Sequence, residues 1–354
     1  MPTESLEPVE PLPFPLAPRG RTPSVALVVP TFNEEAVLPL TYRRIVETMD
    51  ALSAPWSVTF VNDGSSDGTL HALEKLHASD GRVSYVALSR NFGHQAALAA
   101  GLDHADGDVV ITMDADLQHP PEVIGPMLDA WRRGFDVVHT RKVSTDDLPP
   151  LRAFATRVAY KLISRVATVR IVEQASDFRL LDREAVEAIR CLPERDRLYR
   201  GLAPWVGFRQ AVIPFRADAR QAGSSQYGLP QLISLFSRSF FDFSRAPLQV
   251  GLLVGGAVIA LCLAYLGYVL AAWLLGQPIP SGFVSLIFAI VFLSSVNLFF
   301  AGIVGVYVAR IYDEVRGRPT YVVARVRPHR ANVDAIEGAD FAAGAEVQSV
   351  SNVF

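Results

Sequence analysis

The chain is poor in cysteine: in 354 residues it has two, Cys191 and Cys262. Their isolation excludes a disulfide framework and a Cys-based zinc site. An excess of charge of one sign is also missing. Lys and Arg total 33 against 36 Asp and Glu, a net charge of −3. A general nucleic-acid binder carries a basic balance, so no nucleic-acid partner is expected. Charged residues make up 19% of the chain and hydrophobic ones 50%. That balance excludes a solvated, disordered protein. Neither G-x-G-x-x-G nor G-x-x-x-x-G-K-[ST] occurs. Dinucleotide-binding and P-loop readings therefore lose their support. The first 23 residues hold seven prolines and no apolar h-region. Residues 1–23 read as a disordered leader and not as a signal peptide.

The longest absence is of charge. From Ala246 to Ala309 the chain carries no Asp, Glu, Lys or Arg. Turn chemistry at 277–282 divides this run, and each side exceeds the ~20 apolar residues that span a bilayer. The expectation is two transmembrane helices, 248–275 and 283–309. Arg238 and Arg245 precede the first, Arg310, Arg316 and Arg318 follow the second, and the connecting loop has no Lys or Arg. The positive-inside rule then puts both outer ends, and the large N-terminal domain, in the cytoplasm. A juxtamembrane amphipathic helix is expected over 229–247 and a basic interface helix over 151–169. Residues 310–330 read as a basic segment with a short strand at 320–324, and 331–354 as a disordered tail.

Residues 24–228 form the remaining domain. Apolar strand-like runs at 25–30, 56–62, 83–88 and 108–113 alternate with helix-like runs at 34–52, 68–79 and 94–104. Such alternation predicts an α/β fold with a parallel sheet buried on both faces. Ligands of such sheets sit beyond the carboxyl ends of the strands. Polar clusters follow those ends: Thr31-Phe32-Asn33-Glu34-Glu35, Asp63-Gly64-Ser65-Ser66-Asp67-Gly68, and Asp114-Ala115-Asp116-Leu117-Gln118. Taken alone, the second reads as a turn with an N-cap. Two carboxylates and an amide oxygen in the third suit a hard divalent cation, which also binds phosphates.

These clusters, with Arg90-Asn91-Phe92-Gly93-His94-Gln95, Ser176-Asp177-Phe178-Arg179 and the two apolar helices, resemble family 2 glycosyltransferases. More narrowly they are similar to the polyprenyl-phosphate glycosyltransferases, which include dolichyl-phosphate mannose synthases and bacterial bactoprenol glucosyltransferases of the GtrB type. The likeness covers roughly 24–325. It implies a GT-A fold, a Rossmann-like, mostly parallel sheet, carried on two C-terminal transmembrane helices. It further implies that Pro30, Phe32, Glu34, Val61 and Asp63 hold the nucleoside, and that Asp114 and Ala115 border the sugar nucleotide. Asp116 and Gln118 would bind Mg²⁺ or Mn²⁺, which stabilises a leaving nucleoside diphosphate as a Lewis acid. Arg141 and Arg152 would hold the lipid phosphate, and Asp114, Asp116 and Asp177 would be the catalytic carboxylates. Arg220 and Gln226 would lie near the donor, with Gln226 standing where the family carries Lys.

The activity so implied is inverting transfer of a hexose from UDP-glucose to undecaprenyl phosphate at the cytoplasmic face of the inner membrane, feeding lipopolysaccharide modification. The partners are a nucleotide-sugar donor, a polyprenyl phosphate acceptor, the bilayer and further copies of the chain in a homo-oligomer, joined through the strand near 321–324. GDP-mannose or a modified UDP-sugar is the alternative donor. A catalytically silent membrane scaffold is the alternative class, and Gln226 is its support.

Overall fold

The computed structural model describes residues 6–9, 12–143, 175–192, 194, 199–216, 282–329 and, with gaps, 254–275. The chain divides into two compact units: Met1–Ala153 with Arg170–Ser225 and Pro319–Phe354, and Phe154–Val169 with Gln226–Arg318.

The first unit is built on one sheet of nine strands. They are β1 Glu7–Pro8, β2 Val25–Thr31, β3 Trp56–Asn62, β4 Val83–Leu88, β5 Val109–Thr112, β6 Val137–Lys142, β7 Ala175–Asp182, β8 Gln210–Phe215 and β9 Val323–Arg327. Their order is β1-β8-β6-β7-β5-β2-β3-β4-β9. The core β5-β2-β3-β4 is parallel throughout, as expected from the apolar runs. β6 and β8 are also parallel, while β7 runs antiparallel between β5 and β6.

The helices are α1 Leu38–Ala51, α2 Thr69–Ser79, α3 His94–His104, α4 Ile124–Arg132, α5 Arg183–Arg190 and α6 Tyr199–Trp205. Strand period 2 sorts β2 between two cores. Val25, Leu27 and Val29 join Leu38, Ile45 and Met49 of α1 and Ile124, Met127 and Trp131 of α4. Ala26 and Val28 join Leu98, Ala99 and Leu102 of α3 and Val186 and Ile189 of α5. Both faces of the sheet are thus covered, which requires the continuous apolar runs seen in the sequence. The small residues of α3 let it approach closely: a Cβ on Gly101 would lie 2.2 Å from Cγ1 of Val28.

Two expectations need correction. The described residues of the leader are not without structure. β1 pairs antiparallel with β8, and Arg19 ion-pairs with Asp136, donates to the carbonyls of Trp131 (2.8 Å) and Phe135 (3.0 Å), and lies over the Trp131 ring. Proline-rich composition removes backbone donors but leaves a charged anchor free to dock. The strand after the apolar helices spans Val323–Arg327 instead of 320–324, and it pairs antiparallel with β4 of the same chain. Arg325 adds an ion pair to Glu74, and Tyr321 donates to Asp103 (2.7 Å).

In the second unit, α7 Phe283–Val315 runs past the expected end at 309. Its segment Ala289–Val315 is one helix, among the described residues, long and apolar enough to cross a membrane, and none of it is buried. The described residues between 254 and 274 are helical. The expected interface helices at 151–169 and 229–247 lie outside the described residues, as does the tail 331–354.

Candidate active site

The parallel strands deliver their carboxyl ends to one edge of the sheet. β7, running the other way, begins at that edge, with Arg179 opposite Thr112. Four loops and the start of β7 therefore meet there. The loops after β2 and β3 are knitted together. Asn33, in the left-handed region (φ 56°), accepts the Ser66 N–H at its side chain (2.9 Å). Glu35 accepts the Gly68 N–H (2.9 Å), and the Glu34 N–H donates to Thr69 Oγ1 (2.9 Å). The turn reading of the Asp-Gly-Ser-Ser-Asp-Gly run is thus accurate for its backbone, and the turn still forms a wall of the site.

Asp63 is buried, and its carboxylate accepts the N–H groups of Phe92 (2.7 Å) and Gly93 (2.9 Å). Burial raises its pKa, and those two N–H groups oppose the rise. Asp63 thereby fixes the loop after β4. Gly64 makes that approach possible: its φ is +64°, and a Cβ there would sit 2.3 Å from the Arg90 carbonyl carbon. Phe32 is exposed at the same edge, whereas Pro30 lies buried in β2. The Val61 side chain packs in the core with Val86, Leu88 and Ala97. With its side chain buried, Val61 has only its backbone to offer a nucleoside.

After β5 the loop carries Asp114, Ala115, Asp116 and Gln118. Leu117 is buried and its φ is positive, at 62°. That region is costly for a bulky side chain. Asp116 accepts the Gln118 N–H (3.1 Å), and the buried Ala115 offers its carbonyl to Thr41 (2.7 Å). His119 locks the loop from beneath. Its Nδ1 faces the Asp114 N–H at 2.9 Å, so Nδ1 must carry the lone pair, and Nε2 donates to Ser176 Oγ (2.6 Å). Burial pushes the imidazole below its ordinary pKa, against the pull of Asp114, Asp116 and Asp177.

Asp177, at the start of β7, is buried and bound to the buried Arg179 at 3.0 Å. Arg179 also donates to the carbonyls of Tyr199 (2.7 Å) and Ser176 (3.1 Å). His94, the first residue of α3, places Nε2 3.5 Å from both Asp114 Oδ1 and Asp177 Oδ2. Asp114, Asp116, Gln118 and Asp177 thus share this edge. Arg141 stands at the carboxyl end of β6, where both oxygens of Glu7 hold it at 3.0 and 3.1 Å. Arg152, Arg220 and Gln226 lie outside the described residues. Sequence reasoning does not single out His94, His119, Gln95 or Arg179; their only signal is membership of the motifs that carry the resemblance.

Among the described residues no group of three or more His, Cys, Asp or Glu is placed to hold a metal ion. The donor set nevertheless suits a hard cation whose remaining ligands come from a diphosphate: carboxylates and an amide oxygen. Asp114 Oδ1 is buried and has no hydrogen-bond partner. A buried carboxylate oxygen left so is a group that needs a donor or a cation.

Residues 26–190 match the profile of glycosyl transferase family 2. An uncharacterised glycosyltransferase of Synechocystis sp. is 39% identical over 304 residues, 86% of this chain and 95% of that protein. A prophage-derived bactoprenol glucosyl transferase of Shigella flexneri is 37% identical over 314 residues, 87% of this chain and 99% of that one. A prophage bactoprenol glucosyl transferase homolog of Escherichia coli is 33% identical over 86% of this chain and 99% of its own length. Among solved structures, a mannosyltransferase of Pyrobaculum calidifontis in complex with GDP-Man and Mn²⁺ aligns with a TM-score of 0.41 at 20% identity, over 60% of this chain and 62% of that one. The chain is a glycosyltransferase and belongs to family 2, in the group that holds the bactoprenol glucosyl transferases.

Proposed function

We propose that the protein transfers a hexose, glucose from UDP-glucose first among candidates, to undecaprenyl phosphate at the cytoplasmic face of the inner membrane. The observation that carries this reading is the extent of the match to bactoprenol glucosyl transferases. Coverage of 87% of the chain is not reached without including most of α7, so the likeness joins the catalytic unit to the apolar helix. A polyprenyl phosphate has its headgroup at the membrane surface and its tail in the bilayer, which suits an enzyme held there by two spans, 248–275 and α7.

Asp63, Glu34 and the exposed Phe32 line the nucleoside side of the edge. Asp116 and Gln118 would hold Mg²⁺ or Mn²⁺, which when bound supplies charge stabilisation of the leaving diphosphate. The acceptor phosphate oxygen is already anionic, so little general-base help is needed. It attacks the anomeric carbon as the bond to the diphosphate breaks on the opposite face, giving inversion. Catalysis then rests on positioning and on fixed charges aimed at the reacting carbon. Asp114 and Asp177, fixed from behind by His119 and Arg179, are the charges in place for this.

The test incubates purified full-length protein in detergent with undecaprenyl phosphate, Mg²⁺ or Mn²⁺, and a panel of UDP- and GDP-sugars. Lipid products are read by mass spectrometry, with Asp116→Ala as control. A gain of one hexose that the control lacks is the expected result. Absence of product from every donor, in protein that still binds UDP, would overturn the reading in favour of a silent scaffold.

A further inference from the structure

The segment from Arg90 to Gln95 has no part in the function proposed above, yet its position is tightly fixed. Asp63 clamps its Phe92 and Gly93 N–H groups. Gly93 turns at φ +99°, and α3 begins at His94. From Ala96 to Leu102 every residue of α3 is buried, and the Gly101 contact with Val28 leaves the helix no room to slide. His94 is therefore a fixed post at this edge of the sheet, with its imidazole partly exposed.

Two carboxylates arriving from different strands share that post. Nε2 of His94 is 3.5 Å from Oδ1 of Asp114 and 3.5 Å from Oδ2 of Asp177. Oδ1 of Asp114 is the buried oxygen with no hydrogen-bond partner. Asp177 is held from behind by Arg179 and touched from the side by Gln95 Nε2 (3.5 Å). Gln95 is itself oriented by the Tyr199 N–H, which donates to its Oε1 (3.1 Å). Without a donor between them, two carboxylates facing one space repel and swing apart.

Given the transferase reading above, we propose that His94 is a positioning residue: its imidazole N–H, within 3.5 Å of both Asp114 and Asp177, sets the spacing of the two carboxylates before the donor sugar arrives. The positive charge that develops at the anomeric carbon then meets charges already in place, which is where preorganisation lowers a barrier. His94 acts through the carboxylates and not on the substrate.

The experiment measures kcat and donor KM for hexose transfer to undecaprenyl phosphate in detergent. It compares the wild type with His94→Phe, His94→Gln, Asp177→Asn and the double variant His94→Phe/Asp177→Asn. UDP binding by calorimetry monitors folding of the site. His94→Phe keeps the ring but not the N–H; its kcat is expected to fall roughly 10- to 100-fold while donor KM stays within about threefold. His94→Gln, which restores a donor, should recover most of that loss. The double variant should be no slower than Asp177→Asn by more than about twofold, because the two residues act as one unit. A His94→Phe variant with wild-type kcat, or losses that simply multiply in the double variant, would overturn the proposal. If His94→Phe does not bind UDP, His94→Gln decides: a loss of kcat as large as that of Asp177→Asn would refute the role of the N–H. A wild type that makes no lipid product fails a different test, that of the transfer reaction itself.

Discussion

Acid should weaken this fold well above the range where carboxylates protonate, and His139 is the reason. His139 sits mid-strand in β6 and is fully buried. Its tautomer follows from its neighbour. Gln210 directs its amide N–H₂ at the carbonyls of Ala203 (3.4 Å) and Pro204 (3.1 Å), so its Oε1 must face His139 Nε2 at 2.9 Å. Nε2 therefore carries the proton, and Nδ1 is buried with no hydrogen-bond partner. A second proton would place a charge on Nδ1 in a dry strand, with the Arg179 guanidinium nearby. Burial first, and then Arg179, bring the pKa down to about 3. The sign follows from linkage. The unfolded chain takes up this proton near its ordinary pKa of 6.5 and the folded chain only near 3. Stability therefore falls as pH drops through that interval. The loss from His139 is about 2 kcal/mol between pH 8 and pH 5. The buried His119 and His329, both shifted down by burial, add to it. His139→Gln keeps a donor for Gln210 and cannot be protonated. Urea unfolding of the full chain in detergent, followed by tryptophan fluorescence at both pH values, should show the variant losing about 2 kcal/mol less than the wild type. Equal losses in the two proteins would refute the reasoning.

Three shorter predictions follow from the site and its supports. Asp63→Asn turns an amide donor toward the Phe92 or Gly93 N–H; it should cost about 1–3 kcal/mol of local stability and weaken UDP binding by roughly tenfold, read by calorimetry. Gly64→Ala drives a Cβ into the Arg90 backbone at a positive φ, so it should lower the unfolding midpoint by an amount equivalent to about 2–4 kcal/mol and abolish UDP binding; a wild-type midpoint would contradict the close approach. Arg19→Ala removes the anchor on Asp136, Trp131 and Phe135 but leaves Asp136 its pair with Arg209 (2.8 Å). A loss of about 2 kcal/mol is expected in the same urea assay, with donor KM unchanged.

What can be read from the sequence is what the sheet buries. β3, β4 and α3 begin and end where the apolar runs place them, because a strand covered on both faces does not tolerate a polar interruption. α1 starts at Leu38 instead of 34, since Glu34 and Glu35 are drawn into hydrogen bonds with the loop after β3. The edges are not legible. β1 is two residues long and carries no hydrophobic pattern, and β9, largely exposed, is read only approximately, at 320–324 instead of Val323–Arg327; both are recruited from far along the chain. The acidic clusters announce themselves by falling after strands. His94, His119 and Arg179 do not, because their roles depend on which strands become neighbours, and β7 enters the sheet against the direction of its neighbours.

The pairing of Arg141 with Glu7 bears directly on the acceptor. Arg141 is the described member of the two arginines expected at the lipid phosphate, and a carboxylate from the leader already occupies it. The strength of that contact decides whether the expectation is damaged. The Arg141 side chain is 35% exposed and that of Glu7 is 49% exposed, so water competes for both charges. A pair in such a setting is worth about 1 kcal/mol or less. A phosphate, with more charge and three acceptor oxygens, outcompetes it for a guanidinium whose planar fork matches phosphate geometry. On the proposal that Arg141 holds the lipid phosphate, Glu7 is a weak competitor that sits on that arginine when lipid is absent. Glu7→Gln should lower the KM for undecaprenyl phosphate by up to about fivefold, the factor that about 1 kcal/mol represents, and leave donor KM alone. Raising the salt concentration should shrink the difference between variant and wild type, because it screens an exposed pair. A KM for lipid that does not move in Glu7→Gln, while Arg141→Ala raises it, would place the phosphate on a face of Arg141 that Glu7 does not cover. A KM that moves in neither variant would remove Arg141 from the acceptor site altogether.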